Sequence, residues 1–140
     1  MKVFTLPPAN FDEDSLRYFK YSIPENLTEI SLRNKEANDV HAKIIGSNKI
    51  WTNLEKIDLS KNRVSDEGGE IIGSNDVWVN LQELNLSYNK LRAKSGIAIG
   101  NNKSWSKLKV LNLKNNKIGT MGASEIGKNT TWTNLQILAD

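Results

Sequence analysis

Apolar and polar residues alternate along this chain in short bursts that return at a fixed interval. Leu27, Leu54, Leu81, Leu108 and Leu135 stand 27 residues apart, and each opens the same figure: LTEISL, LEKIDL, LQELNL, LKVLNL and LQILAD. An L-x-x-L-x-L pattern, with Ile allowed at its second apolar place, reads as a short strand with one side buried and the other exposed. Eight residues after the opening Leu come Asn62, Asn89 and Asn116, and two further on Val64, Leu91 and Ile118. A segment of helical apolar spacing follows in each copy, as in NRVSDEGGEII and NKIGTMGASEI. Self-similarity at this period predicts a repeat architecture whose strand–turn–helix units bury their apolar sides against one another.

The residues between helix and next strand also recur. Gly46, Gly73, Gly100 and Gly127 each follow an Ile that ends the helical pattern. The expectation there is a left-handed residue that stops the helix. Asn48, Asn75, Asn102 and Asn129 form a second column; an amide offers both donors and an acceptor, so it can satisfy backbone groups that a turn leaves unpaired. Asn62, Asn89 and Asn116 are expected to do the same at the strand exit, bridging successive coils. The four tryptophans, Trp51, Trp78, Trp105 and Trp132, each stand three residues before an opening Leu. Residues held at the repeat period just before a core Leu are read as core. The rival reading is a platform of exposed indoles that stacks bases or sugars.

The L-x-x-L-x-L-x-x-N-x-L figure resembles the leucine-rich repeat family, over residues 27–140 and in register, and the helical return segments resemble its ribonuclease-inhibitor type. That resemblance implies a right-handed α/β solenoid, with parallel strands on the concave face and short helices on the convex face. Two departures stand out. The first repeat has Lys35 and Ala37 where Asn and an aliphatic residue are expected, which predicts an irregular turn, and Gly-x-Asn followed by Trp replaces the usual second apolar helical turn.

Residues 1–26 read as a capping pseudo-repeat, 27–134 as four repeats and 135–140 as the strand of a fifth. In the first segment VFTL forms a covering strand with Val3 at the second apolar position. NFDEDSLRYFKYS forms a helix with Asn10 and Glu13 as a capping pair, and Pro24 stands in the tryptophan register. Asp140 falls in the column of Leu32, Leu59, Leu86 and Leu113, where a charge discourages edge-to-edge pairing.

Composition narrows the chemistry. No apolar run reaches the ~18 residues of a membrane span, and no secretory hydrophobic region follows the start, so a soluble intracellular protein is expected, in a cytoplasm or in a host cell if the chain is an effector. With no Cys and one His, there is no thiolate and no histidine cluster, and no cofactor, metal or small-molecule substrate is expected. His41 in the first repeat's helix reads as a surface or capping residue. Asp66, Glu67 and Glu70 of SDEGGE read as a solvated helix start rather than a calcium loop, whose alternating oxygen ligands are missing. Sequons stand at Asn26, Asn85, Asn102 and Asn129, but Asn102 and Asn129 belong to the second asparagine column and no secretion signal is visible, so glycosylation is not expected. No catalytic constellation is present.

The positions free to vary are those two and four residues after each opening Leu, which face away from the core, and those six and seven after, which border the same surface. The plus-two column runs Glu29, Lys56, Glu83, Val110, Ile137; the plus-four column Ser31, Asp58, Asn85, Asn112, Ala139; the plus-seven column Asn34, Lys61, Tyr88, Asn115. One half is charged; the other is apolar and amide-rich, with Tyr88 at the boundary. Such mixed surface with an aromatic anchor suits a protein interface. The family resemblance implies a non-enzymatic scaffold binding an unknown protein partner through Lys56, Asp58, Lys61, Glu83, Asn85, Tyr88, Val110, Asn112, Asn115 and Ile137.

Two other readings come from different classes. Val110, Ile137 and the open edge of the last strand suit self-assembly into a homo-oligomer. Residues 81–134, with nine Lys/Arg against two Glu, offer positive charge to a nucleic acid. Their cations Lys90, Arg92, Lys94, Lys103, Lys107, Lys109, Lys114 and Lys117 fall on several faces of the expected coil instead of one stripe, which makes nucleic acid the weakest of the three.

Overall fold

A computed structural model describes residues 3–5, 26–133 and 135–138. The helix expected over NFDEDSLRYFKYS with its Asn10/Glu13 cap, and the positions of Pro24, Ala139 and Asp140, lie outside the described residues.

Strands and helices alternate: β1 (Val3–Thr5), β2 (Glu29–Ser31), α1 (Asp39–Gly46), β3 (Lys56–Asp58), α2 (Asp66–Gly73), β4 (Glu83–Asn85), α3 (Ala93–Gly100), β5 (Val110–Asn112), α4 (Gly119–Gly127) and β6 (Gln136–Leu138). The strands make one parallel sheet in the order β1-β2-β3-β4-β5-β6, and the helices pack successively on its other side. This is the α/β solenoid of repeating strand–helix units that the period implies. From β2 to β5 the register follows the period: Ile30, Ile57, Leu84 and Leu111 are lateral partners, all buried. The opening leucines Leu27, Leu54, Leu81 and Leu108 are buried with them, as are Leu32, Leu59, Leu86 and Leu113.

The end strands leave this register by one residue. β1 pairs Val3 with Glu29 and Phe4 with Ile30, so Phe4 rather than Val3 stands opposite the Ile30 position. β6 pairs Gln136 with Val110, Ile137 with Leu111 and Leu138 with Asn112. A one-residue slip turns a strand's face pattern over.

The three ladders hold the coils together. All four indoles are buried, with Trp78 and Trp105 stacked at 6.3 Å between centroids and the Trp105 indole N–H donating to the Asn75 carbonyl at 3.0 Å. An exposed stacking platform is thereby set aside. Asn75, Asn102 and Asn129 each donate through Nδ2 to two carbonyls of the preceding coil: Gly46 and Asn48, Gly73 and Asn75, Gly100 and Asn102. Asn62, Asn89 and Asn116 likewise donate to the carbonyls of Leu32, Leu59 and Leu86 one coil back, and accept the N–H of Ala37, Val64 and Leu91. In the irregular first turn Asn62 Oδ1 accepts from Lys35 as well as Ala37, and Glu36 takes a left-handed φ of 57°.

The glycines act differently from expectation. Gly46, Gly73 and Gly100 are the last helical residues, and the residues after them, Ser47, Ser74 and Asn101, keep right-handed backbone. None of these glycines has positive φ. Their role is lateral: a Cβ on Gly46 would lie 2.8 Å from the Ile71 backbone, and one on Gly100 2.4 Å from the Glu125 carbonyl carbon. A bare Cα lets each helix approach the next backbone to backbone.

SDEGGE starts a helix with Glu67 and Glu70 exposed, as expected, but Asp66 is more than a solvated acid. Asp66 Oδ1 accepts the Arg92 N–H at 2.8 Å, the Ser95 N–H at 3.1 Å and the Ser95 hydroxyl at 2.6 Å, at the start of α3. Asp39 does the same one coil earlier, accepting the N–H groups of Ser65 and Gly68 at the start of α2. Each carboxylate thus satisfies the free N-terminal donors of the following helix, where its charge also suits the helix dipole. Burial pushes the Asp66 carboxyl up, but the Ser95 hydroxyl and the N–H groups of Arg92, Ser95 and Lys94 outweigh it and hold the group below its ordinary value. The series stops at Ala93, and α4 opens without a side-chain cap.

Candidate functional site: the sheet face away from the core

The residues singled out on the exposed side of the strands come together on β3, β4 and β5. Lys56, Glu83 and Val110 are lateral neighbours in one row; Asp58, Asn85 and Asn112 are lateral neighbours in the next. Lys56 Nζ lies 3.9 Å from Glu83 Oε2 with both side chains about half exposed, so the pair adds little stability and leaves both charges accessible. Val110 is half-buried between the Glu83 and Gln136 positions.

The plus-seven residues form a rim with a shared backbone shape. Asn34, Lys61, Tyr88 and Asn115 have φ of 54°, 57°, 56° and 56°, the left-handed region. Non-glycine residues hold it because each coil's turn is tied to the next: Asn34, Lys61 and Tyr88 donate their N–H to the carbonyls of Ser60, Ser87 and Lys114. Tyr88 is 52% exposed, and Lys61 Nζ sits 5.6 Å from its ring centroid, in cation–π range. The aromatic anchor is therefore fixed in backbone and braced on one side by a cation.

The plus-six positions are not part of the face in the middle coils. Ser60 and Ser87 are buried, and each donates its backbone N–H and its hydroxyl to the plus-four residue of its own coil, Asp58 and Asn85. These two-residue turns explain why Asp, Asn and Ser recur there; the Asn85-Leu86-Ser87 sequon is such a turn.

Ile137 does not belong to this face. The slip of β6 sets it beside Leu111 in the core-facing column, and it lines a groove of about 790 Å³ with Leu113, Ile118 and Ile126. Leu138, not Ala139, pairs with Asn112 in the plus-four row. The slip brings an apolar residue onto the apolar side at a coil that has no following strand among the described residues to hold the 27-residue register. Val110 and Ile137 consequently lie on opposite sides of the sheet and cannot form one apolar patch.

His41 is buried, and its Nδ1 accepts the Asn38 N–H at 3.0 Å while Asn38 Oδ1 accepts from the backbone of α1, a reciprocal cap. Burial lowers its pKa to about 4, so the ring is neutral at physiological pH. The basic residues spread widely: Lys94 lies on α3, Lys103 and Lys107 in the following loop, Lys114 and Lys117 beyond β5. Among the described residues no group of three or more His, Cys, Asp or Glu side chains is placed to hold a metal ion, and no helix is long and apolar enough to cross a membrane.

A parallel sheet backed by helices, stapled coil to coil by asparagine amides, defines a strand–helix solenoid that displays its strand face. Residues 52–73, 79–100 and 106–127 each match the model described as Leucine Rich repeat, and the chain belongs to that family. Repeats of this family make protein-interaction modules, typically scaffolds without catalytic activity. No curated protein matches the chain.

Proposed function

We propose that the chain is a non-enzymatic scaffold that holds a protein partner against the strand face of β3–β5. The observation that carries this reading is Tyr88: a half-exposed aromatic side chain on a fixed left-handed backbone, with Lys61 on its ring and Val110 and the Asn85–Asn112 pair on the neighbouring face. Interfaces take most of their energy from such rigid aromatic anchors set in polar surroundings.

The test is capture from the source's own lysate, after nuclease treatment, by wild type and by Tyr88→Glu/Val110→Asp. Glu36 already holds φ of 57°, so a glutamate at Tyr88 is compatible with its backbone. A near-stoichiometric protein retained by wild type alone, with an unchanged melt of the variant, supports the reading. Trp105→Ala is the contrasting variant: it empties a fully buried site and costs about 3–5 kcal/mol of stability before any effect on binding. Equal destabilisation by both variants overturns the division into face and core.

A second reading, self-association, is supported by the apolar groove of Leu113, Ile118, Ile126 and Ile137 rather than by Val110. A mass by light scattering that stays monomeric at the highest attainable concentration dismisses it.

A further inference from the structure

We infer that the partner held on this face presents carboxylates, and that one carboxylate bridges Asn85 and Asn112; the inference rests on the strand-face reading above. Its basis is the direction in which the two amides are locked. The Ser87 N–H and hydroxyl donate to Asn85 Oδ1 at 3.1 and 2.7 Å, and the Lys114 N–H donates to Asn112 Oδ1 at 3.1 Å. A backbone N–H can only donate, so the atom facing it must be the carbonyl oxygen, and each amide's orientation follows from its turn. What remains on each is the Nδ2 group, which makes no hydrogen bond among the described residues. The face therefore offers two amide donors whose own acceptors are already engaged.

Asn85 and Asn112 are lateral partners on adjacent parallel strands, hence about 4.8 Å apart. A carboxylate can accept one N–H from each through its two oxygens, whereas a single carbonyl oxygen serves that pair less well. Charge favours the same occupant. Val110, Asn112, Lys114 and Asn115 carry no acid, and Lys114 is exposed beside the pair. Glu83 is turned toward Lys56. Asp58, the lateral neighbour of Asn85 on the other side, repels a carboxylate from the next step and so confines it to Asn85 and Asn112.

Asp58 also supplies the test variant. It makes the same turn as Asn85, accepting the N–H and hydroxyl of Ser60, so Asn85→Asp with Asn112→Asp keeps the turns while converting two donors into two anions. The probe is an N-acetylated hexaglutamate peptide, with hexaglutamine as control, titrated at low salt while the side-chain amide resonances of the asparagines are followed by NMR. Saturable shifts of the Asn85 and Asn112 amides with the glutamate peptide alone, and affinity lower by about tenfold or more in the double variant at unchanged melting temperature, are expected, because bonds to an ionised acceptor are the strong ones. Equal shifts with hexaglutamine, shifts that bypass these two amides, or unchanged affinity in the double variant overturn the inference. In lysate capture, loss of the partner by Tyr88→Glu/Val110→Asp but not by the double Asp variant leaves the strand-face reading standing and removes the carboxylate. Indifference to both variants removes both.

Discussion

The two asparagine roles make opposite demands on one substitution, Asn→Asp. Asn102 is 7% exposed; it donates to the carbonyls of Gly73 and Asn75, both at 2.8 Å, and accepts the Ser104 N–H at 2.8 Å. Asn102→Asp keeps the shape and the Ser104 contact but turns the donor into an oxygen facing two carbonyl oxygens. Two hydrogen bonds are lost at about 1 kcal/mol each, the Gly73 carbonyl loses its Asn102 donor while the Asn75 carbonyl keeps only the Trp105 indole, and an unpaired charge faces both, for a total cost of about 3–5 kcal/mol. In a domain of this size that lowers the melting temperature by roughly 10–20 °C. Asn112 uses only its oxygen internally, and it is half-exposed; Asn112→Asp is expected to change stability by less than about 0.5 kcal/mol. The Asn102→Asp penalty also depends on pH. Only the protonated carboxyl can donate to one of the carbonyls, so the folded chain raises its pKa above the unfolded value. Stability is then retained in acid and is lost as pH rises through the raised value. Urea denaturation followed by tryptophan fluorescence, at neutral and at acid pH, measures both effects. Equal costs for the two variants, or an Asn102→Asp penalty that does not shrink in acid, would refute the assignment of the Asn102 amide as an inter-coil donor.

His41 predicts pH dependence of the wild type. Its folded pKa of about 4 lies below the unfolded 6.5, so the neutral ring's contribution is complete above 6.5 and is lost as pH falls toward 4, by up to about 3 kcal/mol. His41→Gln keeps a capping side chain without a titration and should flatten that part of the stability curve, as read by calorimetry. Gly100→Ala, whose methyl would meet the Glu125 backbone at 2.4 Å, should destabilise by several kcal/mol or force the α3–α4 contact open. Gly127→Ala, with nothing within 4 Å among the described residues, should stabilise by about 0.5–1 kcal/mol, and thermal melts of the pair check both.

Periodicity made the strands, the tryptophan core, both amide ladders and the Lys56-to-Asn112 face legible, because each depends on residues that recur at the coil's own spacing. What stayed hidden is lateral. Gly46, Gly73 and Gly100 recur whether a glycine ends its own helix or makes room for the next one, and the sequence is the same in either instance. Asp66 looked like a solvated acid because its partners, Arg92 and Ser95, belong to the following coil; its 27-residue spacing from Asp39 was the available signal. The slips at β1 and β6 occur where a strand pairs on one side only among the described residues, so Ile137 was placed by a period that no longer held it. Buried Ser60 and Ser87 are legible in the Asx-x-Ser spacing shared by DLSKN and NLSYN.

Asp39 and Asp66 have a consequence for how such a chain can lengthen. Each is encoded in one repeat and serves the next, so a repeat is not a self-contained part: its quality as a building block depends on what it hands forward. A tandem duplication of the 27 residues beginning at Asp66 would copy an acceptor into the new junction, where it meets backbone N–H groups that any successor supplies. Duplication of the unit beginning at Ala93 would copy the gap that precedes α4. Modules from this one chain are thus unequal as sources of longer arrays, and the difference resides in a single side chain at the seam.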